Sequence, residues 1–445
     1  MLTLQNSFRA VIFMIMLTTY LPLVYHKLPP VVGSHFFYAF LFGLLLFYKY
    51  SYVFVNRVVL PVLLYGVFAL FMTYFVWDNL DPWAINQLWI DYYAISVGVL
   101  IWSYFHESKD YKGFALITKY ALIFIMATAF LTIFTSIIIG GGARAITFRE
   151  DAASLEIQRI FRLYGSGHYA SCIVFMSIIS LVVYYMKHIQ KFLYEYKWIL
   201  VVCMALLLGA VLSLQLFTNL LFAFVVLLLS LVSAENRRVT LSIASVVLII
   251  LITLPNDYYV DFLYSLSRLF EGTFDEFSSK FRDLAIYIQF GTEETIEGTN
   301  AIVQRSARLP LLMDCFLQYP IFGCSVSKVA IPIFNANTGH LYWMFKLSML
   351  GVVNLIFFMY IFYSFLREQA FRMNRDYLYY FYVAVISVLL YGIPKVTGGR
   401  EAWYFIFVVA PGLYYLPLLN ESYMNKWLQT HLRREGVEES EENEE

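Results

Sequence analysis

The sequence has few charged residues for its length: Asp, Glu, Lys and Arg make up 14% of its 445 residues, against roughly 25% in soluble domains. Hydrophobic residues make up 60%. A chain with so little polar surface cannot solvate several soluble domains, so the composition indicates a polytopic integral membrane protein. The formal net charge is zero, which excludes a global basic field that would attract nucleic acid.

Cysteine is also scarce, and none of the spacings among the four residues is typical of a zinc site. Cys172 and Cys203 lie in apolar runs and are interpreted as small packing residues. Cys315 and Cys324 share one polar loop, where a disulfide could form in an oxidising compartment. Segment 8–25 has no small-residue cleavage site after it, which favours a retained first helix over a cleaved signal.

Long apolar runs separated by charged or turn-forming residues dominate the chain, and each membrane crossing needs about 20 apolar residues. The sequence therefore predicts an all-α fold with about 12 transmembrane helices. These lie near 8–25, 31–48, 58–76, 86–105, 113–139, 167–186, 198–213, 219–234, 239–255, 341–366, 376–393 and 402–419. The stretch 198–234 is too long for one crossing, and the polar residues at its middle predict two helices joined by a tight turn.

The loops alternate in basic charge. One set carries Lys49, Arg57, Lys109, Lys112, Lys187, Lys191, Lys197, Arg237, Arg238, Arg367, Arg372 and Arg375. The other short loops carry only Lys27, Lys395 and Arg400. Because basic residues in short loops mark the cytoplasmic side, both termini are predicted to be cytoplasmic.

This orientation divides the chain into four parts. Residues 1–255 hold the first nine predicted helices, with external loops near 77–90 and 140–166, and residues 256–340 form one large external loop. Residues 341–419 hold the last three helices, and residues 420–445 form an acidic cytoplasmic tail.

Arginines recur in the external segments. Arg159 and Arg162 precede a glycine-containing stretch with His168 that leads into an apolar helix. Guanidinium groups at an interface are suited to bidentate phosphate binding, or they can snorkel to lipid headgroups, and both interpretations remain open here.

A second set of polar residues ends the large loop. Arg305 and Arg308 precede Pro310, which suits the first turn of a helix, and an amphipathic segment then leads to the turn Pro320-Ile-Phe-Gly323. His340 and Tyr342 open the tenth predicted helix. A histidine at such a position is either an interfacial polar residue or a catalytic group.

Three short motifs resemble the O-antigen polymerase and O-antigen ligase superfamily of bacterial envelope glycan enzymes over roughly residues 155–360. They are Arg162-Leu-Tyr-Gly165 at the start of a span, Arg305 about fifteen residues ahead of the turn Pro320–Gly323, and His340 eleven residues before Gly351. The chain departs from the family pattern at Leu341, where members usually have asparagine, and at Ser213-Leu-Gln215, where members often have Ser-Arg.

The resemblance implies a C-class integral-membrane glycosyltransferase of the bacterial inner membrane with a periplasmic active site. Donor and acceptor would be undecaprenyl-diphosphate-linked oligosaccharides, with no cofactor or metal, and the expected partners are membrane lipid and a chain-length regulator protein. Fixed arginines would stabilise the leaving diphosphate, and a histidine would orient the acceptor hydroxyl, take its proton or contact the diphosphate. The expected catalytic residues are His340, Arg162 and Arg305, and the expected substrate-binding residues are Arg159, Arg308, Arg400, His168 and Tyr342.

Several alternatives accompany this expectation. A ligase that transfers the glycan to lipid A core or to another acceptor shares the same motifs. The motifs do not distinguish the two enzymes, and the polymerase is favoured over the ligase on prior likelihood. A metal-dependent relative of oligosaccharyltransferase would use Asp78 and Asp81, although a loop-turn role suits this pair better. A flippase or other transporter is disfavoured because the sequence lacks repeated halves and has few ionisable residues inside the predicted spans.

Overall fold

The computed structural model describes residues 4–29, 33–78, 82–139, 169–188, 197–214, 217–232, 256–272, 275–290, 308–327, 341–395 and 397–420. Every regular element within these ranges is helical. The α-helices are α1 (Leu4–Tyr20), α2 (Pro22–Lys27), α3 (His35–Lys49), α4 (Val59–Phe75), α5 (Pro82–Glu107), α6 (Tyr111–Ile139), α7 (Tyr169–Lys187), α8 (Lys197–Ser213), α9 (Phe217–Leu231), α10 (Asn256–Phe270), α11 (Asp275–Phe290), α12 (Arg308–Gln318), α13 (Tyr342–Arg372), α14 (Arg375–Tyr391), α15 (Arg400–Tyr404) and α16 (Ala410–Leu413).

The all-α prediction is confirmed for the described part of the chain. Each predicted apolar segment except 239–255, which lies outside the described residues, coincides with one or more of these helices. Within the described ranges, four helices are long and apolar enough to cross a membrane: Ile85–Glu107, Tyr111–Ile138, Ala170–Lys187 and Tyr342–Arg372. The predicted division of 198–234 is also confirmed, since α8 ends at Ser213 and α9 begins at Phe217.

Two elements form the centre of the bundle. In α7 the residues from Ala170 to Tyr185 are all buried, and α8, α9 and α14 pack around this helix. The second element runs from α15 through the π-helical turn Phe405–Val409 into α16, and it packs on α5 and α7. The side chains facing outward from α3 and α4 are large and apolar, as expected for helices that face lipid.

The helices alternate in direction, which defines two ends of the bundle. At one end, here called the basic end, Arg9 pairs with Asp110, Asn56 Nδ2 donates to Glu107 Oε1 over 2.7 Å, and Lys187 Nζ donates to Ser230 O over 2.8 Å. The loops of this end carry basic residues from the predicted cytoplasmic set.

The opposite end is called the turn end. There Tyr20 donates its hydroxyl to Glu401 O over 3.0 Å, and His35 Nδ1 lies 2.7 Å from the Tyr93 hydroxyl oxygen. The turn at Pro320–Gly323 and the start of α13 also lie at this end, because Trp77 Nε1 at the end of α4 donates to Phe322 O over 2.8 Å.

Three described helices come from the large loop between α9 and α13. Helices α10 and α11 pack on each other around a small core of Val260, Leu263 and Ala285 that is separate from the core of the bundle. Helix α12 corresponds to the predicted amphipathic segment, with Pro310 in its first turn, and it packs on α13.

Candidate functional site

Most of the site residues expected from the sequence lie outside the described residues. These are His340, Arg162, Arg305, Arg159 and His168. Arg308 is the first residue of α12, and only its backbone is described. Tyr342 and Arg400 are described with their side chains, and both lie at the turn end. The site is therefore built from the helices that begin next to the expected residues.

The turn Pro320–Gly323 docks into a break in α13. Gly351 has φ 80° and ψ 173°, so the helix is interrupted there. The freed amides of Val352 and Val353 donate to Pro320 O over 2.9 Å and to Ile321 O over 3.3 Å. These bonds compensate the helix hydrogen bonds that are lost at the break.

Both glycines at this contact are sterically required. A Cβ atom at Gly351 would lie 2.2 Å from Ile321 O, and one at Gly323 would lie 2.2 Å from Met349 O. Both residues also have positive φ, which side chains disfavour. The two family-like motifs that end in Gly323 and Gly351 are thus in direct backbone contact.

A disulfide fastens the same region. Cys315 near the end of α12 is bonded to Cys324, just after the turn, with a Cα–Cα distance of 5.8 Å. The sequence left this pairing open, and the turn brings the two cysteines together: its Gly323 amide donates to Tyr319 O over 3.0 Å, just before Cys324. Cys172 and Cys203 are not part of this disulfide, and both are buried, which agrees with their interpretation as packing residues.

A buried carboxylate lies beside the first turns of α13 and α15. Asp91 in α5 accepts from the Tyr342 hydroxyl over 2.5 Å and from Trp403 Nε1 over 2.6 Å, and Lys346 Nζ lies 2.6 Å from its Oδ2 atom. The Asp91 side chain is 0% exposed and that of Lys346 is 3% exposed. The ammonium also lies over the rings of Tyr342 and Phe358, at 4.9 and 4.8 Å from their centroids.

The turn before α15 packs on this carboxylate. Gly398 has φ 138°, and a Cβ atom there would lie 3.0 Å from Asp91 Oδ1 and 3.5 Å from Tyr342 Cε2. Gly399 has φ 86°, and its Cβ position is 3.3 Å from Ala170 Cβ at the start of α7. The turn therefore lies against the first residues of α7 and α13 and leads directly into Arg400.

Arg400 is half-buried and faces α3 and α5. His35 at the first turn of α3 is in its electrostatic field. The His35 ring stacks on Tyr404 with centroids 5.4 Å apart and bonds Tyr93 through Nδ1. Arg400, which the sequence analysis named as an expected substrate-binding residue, thus lies directly after the glycine turn and interacts electrostatically with His35 and Tyr93.

Two aromatic side chains of the turn end are buried inside the protein, since Trp77 is 5% exposed and Tyr342 is 1% exposed. Both are buried because their polar groups find acceptors, Phe322 O and Asp91 Oδ2, inside the protein. The hydroxyl of Tyr342 thus donates to Asp91, and the expected role of Tyr342 in substrate binding stays a prediction.

Two of the few ionisable residues inside the predicted spans pair with each other. Asp91 lies within the span predicted at 86–105 and Lys346 within that at 341–366, and their side chains form a buried ion pair. The signal was present in the sequence as one acid and one lysine, each alone in an apolar run. Their pairing was not visible because 255 positions separate them.

The metal-dependent alternative, a relative of oligosaccharyltransferase, requires side chains that could bind a metal ion together. Among them no three His, Cys, Asp or Glu side chains lie close enough to hold an ion. Asp78 is exposed at the end of α4, and Asp81 lies outside the described residues.

Comparison of the chain with protein-family models, with curated proteins and with solved structures finds no match.

Proposed function

We propose that this protein is a membrane glycosyltransferase that polymerises undecaprenyl-diphosphate-linked oligosaccharide repeat units into an O-antigen-like polysaccharide on the periplasmic face of the bacterial inner membrane. The observation that supports this most is the meeting of the motif-bearing segments at the turn end. Helix α7 begins just after Arg162 and His168, α12 just after Arg305, and α13 just after His340. The contacts of Ala170 with Gly399, of Tyr342 with Gly398, and of Gly323 with Gly351 join these three helices and α15.

The distribution of charge and of the disulfide supports the proposed orientation. The basic loops gather at one end of the bundle, as expected for a cytoplasmic face. The Cys315–Cys324 disulfide lies at the other end, and disulfides persist in oxidising compartments such as the periplasm. Two independent properties therefore support placing the turn end on the periplasmic side. In this proposal about 12 helices cross the membrane and both termini are cytoplasmic.

The chemistry of the turn end suits a diphosphate leaving group. In the proposed reaction the acceptor hydroxyl oxygen forms a bond to the anomeric carbon of the donor glycan, and the bond from that carbon to the diphosphate oxygen breaks. The diphosphate gains negative charge as it leaves. Arg162, Arg305 and Arg400 would stabilise this charge more in the transition state than in the ground state. The first turns of α7 and α13 add the positive ends of their helix dipoles.

His340 would take the proton of the acceptor hydroxyl, since its unperturbed pKa lies near neutral pH. Direct contact with the diphosphate is its alternative role. Arg159, Arg308 and His168 would bind the remaining phosphate or sugar groups.

A transporter of lipid-linked oligosaccharides is a second candidate function, favoured by one specific feature. Helix α13 is broken at Gly351, and the buried pair Asp91–Lys346 lies close to the start of that helix. Discontinuous helices beside intramembrane charges are typical of transporter sites. In this chain, however, the amides freed at the break bond to the turn Pro320–Gly323, so they are not available to a substrate.

The test is an assay with purified protein in detergent, undecaprenyl-diphosphate-linked repeat units and EDTA, with products resolved on a gel. A ladder of longer glycans that disappears in Arg162→Ala, Arg305→Ala and His340→Ala supports the proposal. Product that forms only when lipid A core is added would identify the ligase. Transfer of intact lipid-linked glycan across vesicle membranes without a new glycosidic bond would identify the transporter.

A further inference from the structure

Asp91 connects three helices at the turn end. Its Oδ1 atom accepts from Trp403, which lies in the same short helix as Arg400, and its Oδ2 atom accepts from Tyr342, the second residue after His340. Lys346, one helical turn after Tyr342, supplies the neutralising charge. Since the carboxylate is 0% exposed, it does not contact a substrate directly.

We propose that Asp91 is a positioning residue for glycan transfer: its carboxylate oxygens fix the first turns of α13 and α15, and thereby place the segments that carry His340 and Arg400. This inference rests on the proposed function. In the sequence Asp91 is a single acid in an apolar run, and only the folded chain brings Tyr342, Lys346 and Trp403 to it.

The two glycines before Arg400 support a positioning role. Gly398 packs directly against Asp91 Oδ1, so any side chain there would displace the carboxylate or the turn. Both Gly398 and Gly399 have positive φ, a backbone conformation that is unfavourable for residues with a side chain. Substitution of either glycine should therefore disturb the conformation of the turn. The Trp403 amide also donates to Gly399 O over 3.3 Å. The placement of Arg400 therefore follows from the turn, and the turn packs on Asp91.

The role proposed for the carboxylate is that of a hydrogen-bond acceptor, with Lys346 balancing its charge. This can be separated from a role of the charge itself, because a buried ion pair can be replaced by neutral residues without loss of folding when both partners change together. An amide at position 91 keeps one oxygen to accept from Trp403 and has an NH2 group that can donate to the Tyr342 hydroxyl oxygen, whereas a methyl group can make neither bond.

The decisive comparison is therefore made between Asp91→Asn/Lys346→Met and Asp91→Ala/Lys346→Met in the polymerisation assay. We expect the Asn variant to keep kcat within about threefold of wild type and the Ala variant to lose at least about tenfold, a loss of about 1.4 kcal/mol in transition-state stabilisation. Adding Arg400→Ala to the Ala variant should cost less than about twofold more, since residues that act as a unit are not additive.

Other outcomes overturn the proposal. Equal loss in the Asn and Ala variants would mean that the charge is required, and equal retention would mean that no acceptor is needed. A multiplicative loss on adding Arg400→Ala would mean that Asp91 does not act through Arg400.

The matched control is the ion pair at the basic end, tested as Asp110→Ala/Arg9→Met. This variant removes a carboxylate that also bonds a helix start, through the Gly113 amide at 3.0 Å, but far from the turn end. We expect it to lower stability without changing kcat per folded molecule. If kcat fell as much as in Asp91→Ala/Lys346→Met, the effect of the Asp91 variant would be explained by general destabilisation, and the positioning role would be contradicted.

An activity-independent measurement separates this inference from the proposed function. Backbone amide hydrogen exchange in 341–348 and 397–404 should be faster in Asp91→Ala/Lys346→Met than in wild type, and unchanged in Asp110→Ala/Arg9→Met. If wild-type protein makes no polymer, the proposed function fails while the exchange result still tests whether Asp91 fixes these turns. Unchanged exchange in the Asp91 variant would contradict the positioning role whatever the activity.

Discussion

The two ends of the bundle each contain a buried carboxylate paired with a basic side chain, but the pairs differ in what they connect. At the basic end Asp110 accepts from Arg9 Nε over 2.8 Å and from Nη2 over 2.5 Å, and it also accepts from the Gly113 amide at the start of α6. The Arg9 side chain is 28% exposed, so water or headgroups reach the pair.

At the turn end Asp91 and Lys346 are almost completely buried, and the carboxylate gains two further donors from side chains of α13 and α15. The comparison teaches that a bidentate arginine and one backbone amide suffice near the solvent, whereas an interior carboxylate needs side chains from several helices to offset its desolvation. The Asp91 carboxylate thereby joins side chains from the first turns of α13 and α15.

Removing the basic partner at each end should give the largest contrast. Lys346→Met leaves the Asp91 charge buried, and we expect a loss of roughly 3–5 kcal/mol in the free energy of unfolding. Arg9→Met should lose about 2 kcal/mol, because Asp110 stays closer to solvent. Thermal unfolding in detergent, followed by tryptophan fluorescence, measures both variants. Equal losses would remove the distinction between the two ends.

Substitution of one glycine at each end extends the comparison between the turn end and the basic end. Gly351→Ala places a Cβ atom against backbone atoms of the turn Pro320–Gly323 and forces an unfavourable φ, so we expect a loss of about 3 kcal/mol. Gly113→Ala at the basic end meets only the side-chain ends of Asp110 and Arg9, which can shift, and its loss should be smaller.

The alanine control for both is Gly43→Ala in α3, where no atom lies within 4 Å of the Cβ position. That change should be neutral or stabilising by up to about 1 kcal/mol, because alanine favours helix. A melting temperature for Gly351→Ala that matches Gly43→Ala would contradict the docked turn.

The disulfide is expected at the turn end alone among the described residues. Alkylation of denatured, unreduced protein should modify two of the four cysteines, and reduction should expose the other two. Cys315→Ser/Cys324→Ser should lose about 2–3 kcal/mol through the chain entropy of a loop with sequence separation 9. Four reactive thiols before reduction would contradict both the bond and the oxidising location of this end.

The smallest effect should follow Trp77→Phe. This change keeps the aromatic ring but removes the donor to Phe322 O, which should cost about 1 kcal/mol. Trp198→Phe is the control, since that side chain is 77% exposed near the start of α8. Differential scanning measurements on the two variants would contradict the bond if the unfolding temperatures were equal.

Much of the fold could be predicted from the sequence because apolar run length and turn-forming residues act locally. The division at Ser213 and the helix that ends at Gln318 are of this kind. The expected site was predictable only as a set of motifs. Asp91 was missed because a lone acid in an apolar run gives no indication of its partner. The bond from the Tyr342 hydroxyl to Asp91 was missed for the same reason, because a sequence position does not reveal where a hydroxyl points.

The sequence by itself determined that this is a helical protein with apolar helices fit for a membrane, since its shortage of charge leaves no other way to satisfy so much apolar surface. It also determined which loops are basic. Only the tertiary structure decided that Gly323 meets Gly351, that Cys315 pairs with Cys324, and that Asp91 is shared by α13 and α15. These contacts join residues that are distant in the chain or that lie on either side of a turn. Their energies depend on burial and geometry that exist only after the helices have packed.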